Sequence, residues 1–167
     1  QGRVCYCFGV HCRAEGGFLL HGGGRNGKSK LIGVMRQVLG EQNVVDGFDI
    51  RQTGDPVMNT MLVGKLAAIG TEVGSRTTIP DGRYKAFISG EGMPMRHLFH
   101  DPAPFAPFAT LVIACNDLPS TTDRSTGFWA RTVVIPFLNR FEGEAADTNL
   151  QDLFVPELPG IFNWAIE

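Results

Sequence analysis

Eight consecutive residues, Gly22-Gly23-Gly24-Arg25-Asn26-Gly27-Lys28-Ser29, give up side-chain packing in the middle of an otherwise apolar region. Glycine costs backbone entropy when it is ordered and adds nothing to a core, so something at this point needs bare backbone. The run satisfies G-x4-G-K-[ST]. An apolar stretch (GFLL, 17–20) precedes it and a stretch of helical periodicity follows. In that setting the chemistry is phosphate binding. Successive backbone N–H groups must turn inward around phosphate oxygens, and a Cβ would block both the turn and the approach. The helix starting near Lys28 adds the positive end of its dipole. Lys28 then reaches the β- and γ-phosphates, and the Ser29 hydroxyl ligates Mg²⁺. The nucleotide-binding set read from the sequence is Gly22, Gly23, Gly24, Arg25, Asn26, Gly27, Lys28, Ser29 and Lys30.

A phosphate cradle alone does not separate an ATPase from a kinase or a switch. A further acid is needed near the metal, and two strand-like runs end in one: NVVD (43–46) and LAAIGTE (66–72). Glu72 follows the longer buried run, where it can hold a metal-bound water and activate the attacking water. Asp46 and Asp49 lie in a glycine-containing turn, where Asp is common for turn reasons. Asn116 closes TLVIAC and can orient a water against the γ-phosphate, although Asn-Asp-x-Pro is also ordinary turn chemistry. Arg131 follows GFWA and opens another apolar run. It is the candidate for stabilising transition-state charge on phosphate, with Arg124 its close competitor. A basic group (Arg83, Lys85, Arg96, His97, His100) is opposed within 83–100 by Glu91 alone, and Phe99, Phe105 and Phe108 interleave with it. Basic plus aromatic residues suit single-stranded nucleic acid. Taken by themselves, the phenylalanines read first as core.

The elements that must position these residues are legible as periodicities. GFLL reads as a buried strand. KSKLIGVMRQVL (28–39) has apolar residues at 31, 32, 34, 35, 38 and 39, a helical spacing stopped by Gly40. LAAIG, TLVIAC and RTVVIPF (131–137) read as strands, and RYKAFISG (83–90) as a short helix closed by Gly90. Residues 93–109 carry Pro at 94, 102, 104 and 107, which suits a hairpin on a sheet edge better than a central strand. The tail from Asp147 reads as one or two amphipathic helices. Strands alternating with helices predict an α/β layer fold with a mostly parallel sheet.

The bulk properties narrow the partners. At 167 residues the length is that of one domain, and a net charge of −2 excludes a polycation. The six acids beyond residue 140 face no Lys or Arg there, so a nucleic-acid partner is confined to a local patch on the earlier, basic part. No apolar run approaches the about 20 residues of a membrane span, and no signal peptide is visible. Cys5, Cys7 and Cys12, with His11 and His21 nearby, have a spacing unlike the common structural zinc patterns. Reduced thiols of a cytoplasmic protein are expected, with Cys115 alone in an apolar strand. The chain has no initiator Met and stops inside ELPGIFNWAIE, so we read it as a piece of a longer protein, with 1–16 a truncated upstream segment.

In series, GGGRNGKS, GKLAAIGTE, YKAFISGEGMPMRHLF, LVIACNDLP, GFWARTVVIPF and ELPGIFNWAI resemble the superfamily 3 helicase domain of phage and plasmid primase-helicases, related to the poxvirus D5-type primase-helicases. The resemblance covers residues 17 to 167. It implies an AAA+-like P-loop ATPase with a pre-sensor β-hairpin, usually a hexameric ring, that uses ATP and Mg²⁺ to track along single-stranded DNA. A primase domain would lie upstream in the full protein, which would act in the cytoplasm of a bacterial host. It implies Lys28 and Ser29 as the Walker A pair, Glu72 as the Walker B acid and Mg²⁺ partner, Asn116 as the sensor, and Arg131 as a finger acting in trans. It matches Lys85 and Arg96 to motif positions leading into a pore hairpin, so that Lys85, Arg96, His97 and His100 become the DNA-contact set. Three departures stand out: Gly90-Glu91-Gly92 for the family's Gly-Gly-Asp, Ala130-Arg131 for its paired arginines, and His100-Asp101 where the hairpin tip is often basic. Two alternatives share the loop: a small-molecule or nucleotide phosphotransferase, and a remnant that binds nucleotide without turnover.

Overall fold

The structure is a computed structural model that describes residues 16–73, 77–97, 99–121, 126–143 and 149–166. The expectations for Cys5, Cys7, Cys12, His11 and Arg124 fall outside those residues. Five strands form the central sheet: β1 (Gly17–His21), β2 (Val44–Asp46), β3 (Ala67–Val73), β7 (Thr110–Cys115) and β9 (Thr132–Pro136). Their spatial order is β2-β3-β7-β1-β9, and every pairing is parallel. The α/β reading from alternating elements is therefore correct.

TLVIAC forms β7 with all six residues buried. A strand hydrogen-bonded on both sides and covered on both faces reads as an unbroken apolar run, because neither face meets water. One face carries Leu19, Val45, Ala68, Leu111 and Ile113 against Tyr84, Phe87 and Ile88 of α2 (Asp81–Ile88) and against Phe128 of α3 (Thr126–Ala130). The alternate residues Phe18, Leu20, Ala67, Ile69, Val112 and Ala114 pack on Ile32 and Leu39 of α1 (Lys28–Leu39). The tail folds as α4 (Leu150–Phe154) and α5 (Leu158–Ile166), both touching α1. No helix among the described residues is long and apolar enough to cross a membrane.

Gly70 in β3 shows how tightly the layers meet. A Cβ there would lie 2.5 Å from the Phe48 carbonyl oxygen and from Ile113 Cδ1. The backbone neighbour cannot yield, since the Phe48 N–H is bonded to Ile69 O at 2.9 Å. Gly70→Ala is expected to cost about 1–3 kcal/mol by overpacking, a fall of about 5 °C in melting midpoint for a chain of this size. Thermal melting followed by circular dichroism checks it.

The hairpin needs one correction. β5 (Met93–Met95) and β6 (Ala103–Phe105) do pair antiparallel, but as a separate two-stranded sheet, not on the edge of the central one. Its base is held by the segment between β2 and β3: Asn59 Nδ2 donates to Pro94 O at 2.8 Å, and Arg96 N donates to Pro56 O at 2.8 Å. A further pair of short strands, β4 (Thr78–Ile79) and β8 (Ser120–Thr121), was not foreseen. It runs parallel and ties together the segments that follow β3 and β7.

Candidate functional site

The glycine-rich run forms the loop between the C-terminal end of β1 and the start of α1. Gly22 donates its N–H to Cys115 O at 3.2 Å, which fixes the loop's entry to the neighbouring strand β7. A side chain at Gly22 would collide with the Phe137 carbonyl and the Asn26 amide, whereas Cβ atoms at Gly23 and Gly24 would meet nothing within 4 Å. The bare positions thus serve two ends: close packing at the first glycine, open backbone at the next two. Gly27 has φ 89°, a left-handed conformation that favours glycine, at the N-cap of α1. The helix has no side-chain cap and no acid in its first turn, so its first N–H groups and positive dipole end are directed toward the loop. Ser29 is exposed on that first turn.

Lys28 is 7% exposed. Its ammonium donates to Gly22 O, to Asn26 Oδ1 at 2.9 Å and, at 3.4 Å each, to Gly23 O and Asn116 Oδ1. The structure therefore brings Asn116, 88 positions along the chain, to the Asn26 and Lys28 of the loop motif. Neighbouring Cys115 is buried, and burial pushes its thiol pKa up, which makes it a protonated packing group.

Strand order places the candidate acids differently. Glu72 lies near the C-terminal end of β3, the strand beside β7, and Asn116 is the residue that follows β7. The β3–β7 register shifts between Gly70 and Val73, giving β3 one extra residue there. Such irregularities re-aim side chains and are over-represented beside active sites. Asp46 ends β2, three strand spacings from β1, roughly 14 Å. It is engaged by Arg36 and by the Gly47 N–H at 3.0 Å. Asp49 caps a short helical turn at Arg51 N, and the Arg51 guanidinium holds its carboxyl below the usual range.

Arg131 is placed elsewhere. It precedes β9, whose first residue Thr132 is level with Gly17 at the start of β1. A five-residue strand, roughly 16 Å, separates it from the loop edge. Within the chain it stands at the opposite end of the strands from Lys28, just before the strand next to β1. The basic group divides as well. Lys85 is half-buried on α2, while Arg96, His97 and His100 share the hairpin turn. There Arg96 Nε donates to His100 O at 3.2 Å, and the two imidazoles meet edge to face at 6.4 Å. The reading of the phenylalanines as core holds in part: Phe105 packs against the core and Phe108 is half-buried. Phe99 contradicts it. At the hairpin turn, with φ 65° and 98% of its surface exposed, nothing covers it. Among the described residues no three His, Cys, Asp or Glu come together as a metal site.

A feature the sequence reading missed is the chain leaving β9. Residues 137–142 run along the loop: Phe137 N donates to His21 O at 2.7 Å, and Phe141 N donates to Arg25 O at 2.8 Å. No motif marks this stretch. The closest signal was its position just after the last strand.

With this geometry in hand, the chain can be set beside known proteins. A family model, DUF5906, described as a family of unknown function, matches residues 20–131. The chain belongs to that family. Two relatives of this DUF5906 chain are viral: "Putative helicase L207/L206" of Acanthamoeba polyphaga mimivirus, 30% identical over 76% of the chain, and "Putative helicase 121R" of Invertebrate iridescent virus 3, 26% identical over 83%. The chain spans 14% and 16% of their lengths. Among solved structures, the apo NrS-1 C-terminal region matches 98% of the chain with a TM-score of 0.72 at 18% identity, the chain covering 39% of it. The JCV helicase matches 96% with a TM-score of 0.51 at 10% identity, 46% of that chain being covered. At such identities the likeness is one of fold. The resemblance to superfamily 3 helicase domains, drawn from the motifs, is borne out by these relatives together with the helicase-like P-loop fold.

Proposed function

We propose that this chain is the ATP-hydrolysing motor domain of a DNA helicase that tracks on single-stranded DNA as a ring, hexameric by the family's habit. The observation that carries the reading is the convergence at the C-terminal ends of the three interior strands. Lys28 of the loop and Asn116, the residue after β7, touch, and Glu72 lies on the strand adjoining β7. Ligands of parallel sheets bind beyond the C-terminal ends of the strands, and phosphoryl transfer to water asks for a cation, an acid and a water-orienting polar group in that place. The loop suits a triphosphate: its second and third glycines leave the approach open, and Lys28 is surrounded by oxygen acceptors that phosphate oxygens can replace. Ser29 and Glu72 would hold Mg²⁺, which supplies charge neutralisation on the β- and γ-phosphates. Glu72 and Asn116 position and activate the attacking water. β7 then links Asn116 at one end to the hairpin at the other, a short rigid route from nucleotide to Arg96, His97 and His100. Those three residues, with Lys85, are the proposed DNA contacts.

Arg131 fits a finger offered to a neighbouring subunit, since it stands a strand's length from its own loop. Residues 17–167 form the motor domain in this reading, and a primase domain upstream in the full-length protein completes a replication enzyme. Viral relatives suit a phage, plasmid or viral replicon, acting in the cytoplasm of a bacterial host if phage- or plasmid-encoded. ATP hydrolysis across a protein-concentration series, with and without single-stranded DNA, tests the proposal. Turnover should rise steeply with concentration and again with DNA. Arg131→Ala should be inactive alone yet bind ATP, and mixing it with Lys28→Ala protein should restore part of the activity. Nucleotide binding without turnover at any concentration, in this chain and in the full-length protein, would leave a remnant rather than a motor. No rescue at any mixing ratio would remove Arg131 from its role.

A further inference from the structure

The stretch from Phe137 to Glu142 lies along one side of the phosphate loop as a strap. Besides its two backbone bonds, the Phe137 carbonyl accepts from Asn26 Nδ2 at 3.2 Å. Glu142 pairs with Arg25 at 3.1 Å and with Arg140 at 2.6 Å. Those ion pairs are exposed and add little; the hold comes from the backbone and amide bonds. Asn26 stands between strap and lysine. It is 7% exposed, with its Nδ2 on Phe137 O and its Oδ1 receiving Lys28 Nζ at 2.9 Å. An ammonium can only donate and a carbonyl can only accept, so these partners admit one orientation of the amide. A flipped Asn26 would set NH₂ against NH₃⁺ and oxygen against oxygen.

We propose that Asn26 is a positioning residue for phosphoryl transfer, which rests on the ATP-hydrolysis reading above. It aims the Lys28 ammonium, and the Phe137–Glu142 strap keeps Asn26 in place. A lysine stem is long and freely rotating, so a charge that must meet the γ-phosphate gains from being held before the reaction begins. The strap also makes β9 a strut: Arg131 precedes one end, and the subunit's own loop is anchored at the other.

The test is Asn26→Ala, read in three ways. Turnover should fall about tenfold to a hundredfold while ADP affinity stays within about threefold, because misplacement of a catalytic group acts mainly on the chemical step. Competitive labelling with an amine-selective reagent, followed by mass spectrometry, should show Lys28 becoming about tenfold more reactive once it loses a hydrogen bond to a charged group, with Lys65 unchanged as the control for an intact fold. Thermal melting should remain cooperative. Unchanged Lys28 reactivity would overturn the proposal whether or not the protein is an ATPase, since Asn26 then does not hold the ammonium. Raised reactivity with unchanged kcat would overturn its catalytic part. If the wild type neither binds nor hydrolyses nucleotide, the ATP reading fails and takes the catalytic part with it, while the labelling still decides whether Asn26 holds Lys28.

Discussion

Lys28→Ala is expected to lower ATP turnover by about 10²–10³-fold or more, the scale seen when one preorganised charge donor is removed from a transition state. It should also weaken nucleotide binding by about tenfold, because a hydrogen bond to a charged group contributes about 1.5–3 kcal/mol. The size of the effect follows from the site. The ammonium is buried at the centre of the loop and touches Asn26 and Asn116 together, so no other described side chain shares its place. Lys30 cannot substitute: two residues further along α1, it is turned by about 200° around the helix axis. Equilibrium binding of a fluorescent ATP analogue, alongside steady-state hydrolysis, measures both losses. Turnover within threefold of wild type would remove Lys28 from the mechanism. A cooperative melt is expected to persist at a somewhat lower midpoint, since the alanine leaves Gly22 O and Asn26 Oδ1 without this donor, a cost of about 1–3 kcal/mol.

Glu72→Gln separates binding from chemistry. The substitution conserves shape and removes the carboxylate, so the β3–β7 contact should survive. Nucleotide affinity should stay within about threefold, while turnover should fall by about 10²–10⁴, the contribution of a positioned general base. Single-turnover hydrolysis under excess enzyme isolates the chemical step from product release. Asp46→Asn and Asp49→Asn are the matched comparisons. Both should retain turnover within about twofold, because one acid is held by Arg36 at the far edge of the sheet and the other caps a surface turn. If Glu72→Gln hydrolyses ATP as wild type does, or if Asp46→Asn is the variant that fails, the assignment of the acid is wrong.

Much of this protein could be read before any fold was known, and the legible parts share a cause. The first long helix runs from Lys28 to Leu39, as its apolar spacing and Gly40 had indicated. The run TLVIAC is a strand to the residue. The loop motif declares itself because phosphate approach demands glycine at fixed intervals, a constraint met by neighbours in the chain. Helical period, strand alternation, turn chemistry and cap residues all act over a few residues, so one sequence carries them openly.

What the sequence left open was decided by contacts between distant segments. The order β2-β3-β7-β1-β9 sets Asn116 between the loop strand and the strand of Glu72, and sends Asp46 to the edge. No local pattern encodes that order; it follows from covering both faces of one sheet at once. The extra residue of β3 near Glu72 appears only against the register of β7. The hairpin's prolines announced a hairpin but not that it would stand apart from the main sheet, held by Asn59 and Pro56. Phe99 looked like core by residue type and is exposed because no layer reaches the turn that carries it. Sequence by itself determined the glycine-rich loop, the helix behind it and the class of fold. Tertiary structure alone decided that Glu72 lies on the strand next to β7 while Asp46 ends an edge strand, that Arg131 lies at the opposite end of the strands from the loop, and that Phe137 after β9 bonds Asn26, which accepts in turn from Lys28. The reason is physical: the first set depends on interactions within one turn or one strand, the second on burial and hydrogen bonds between residues as many as 117 positions apart.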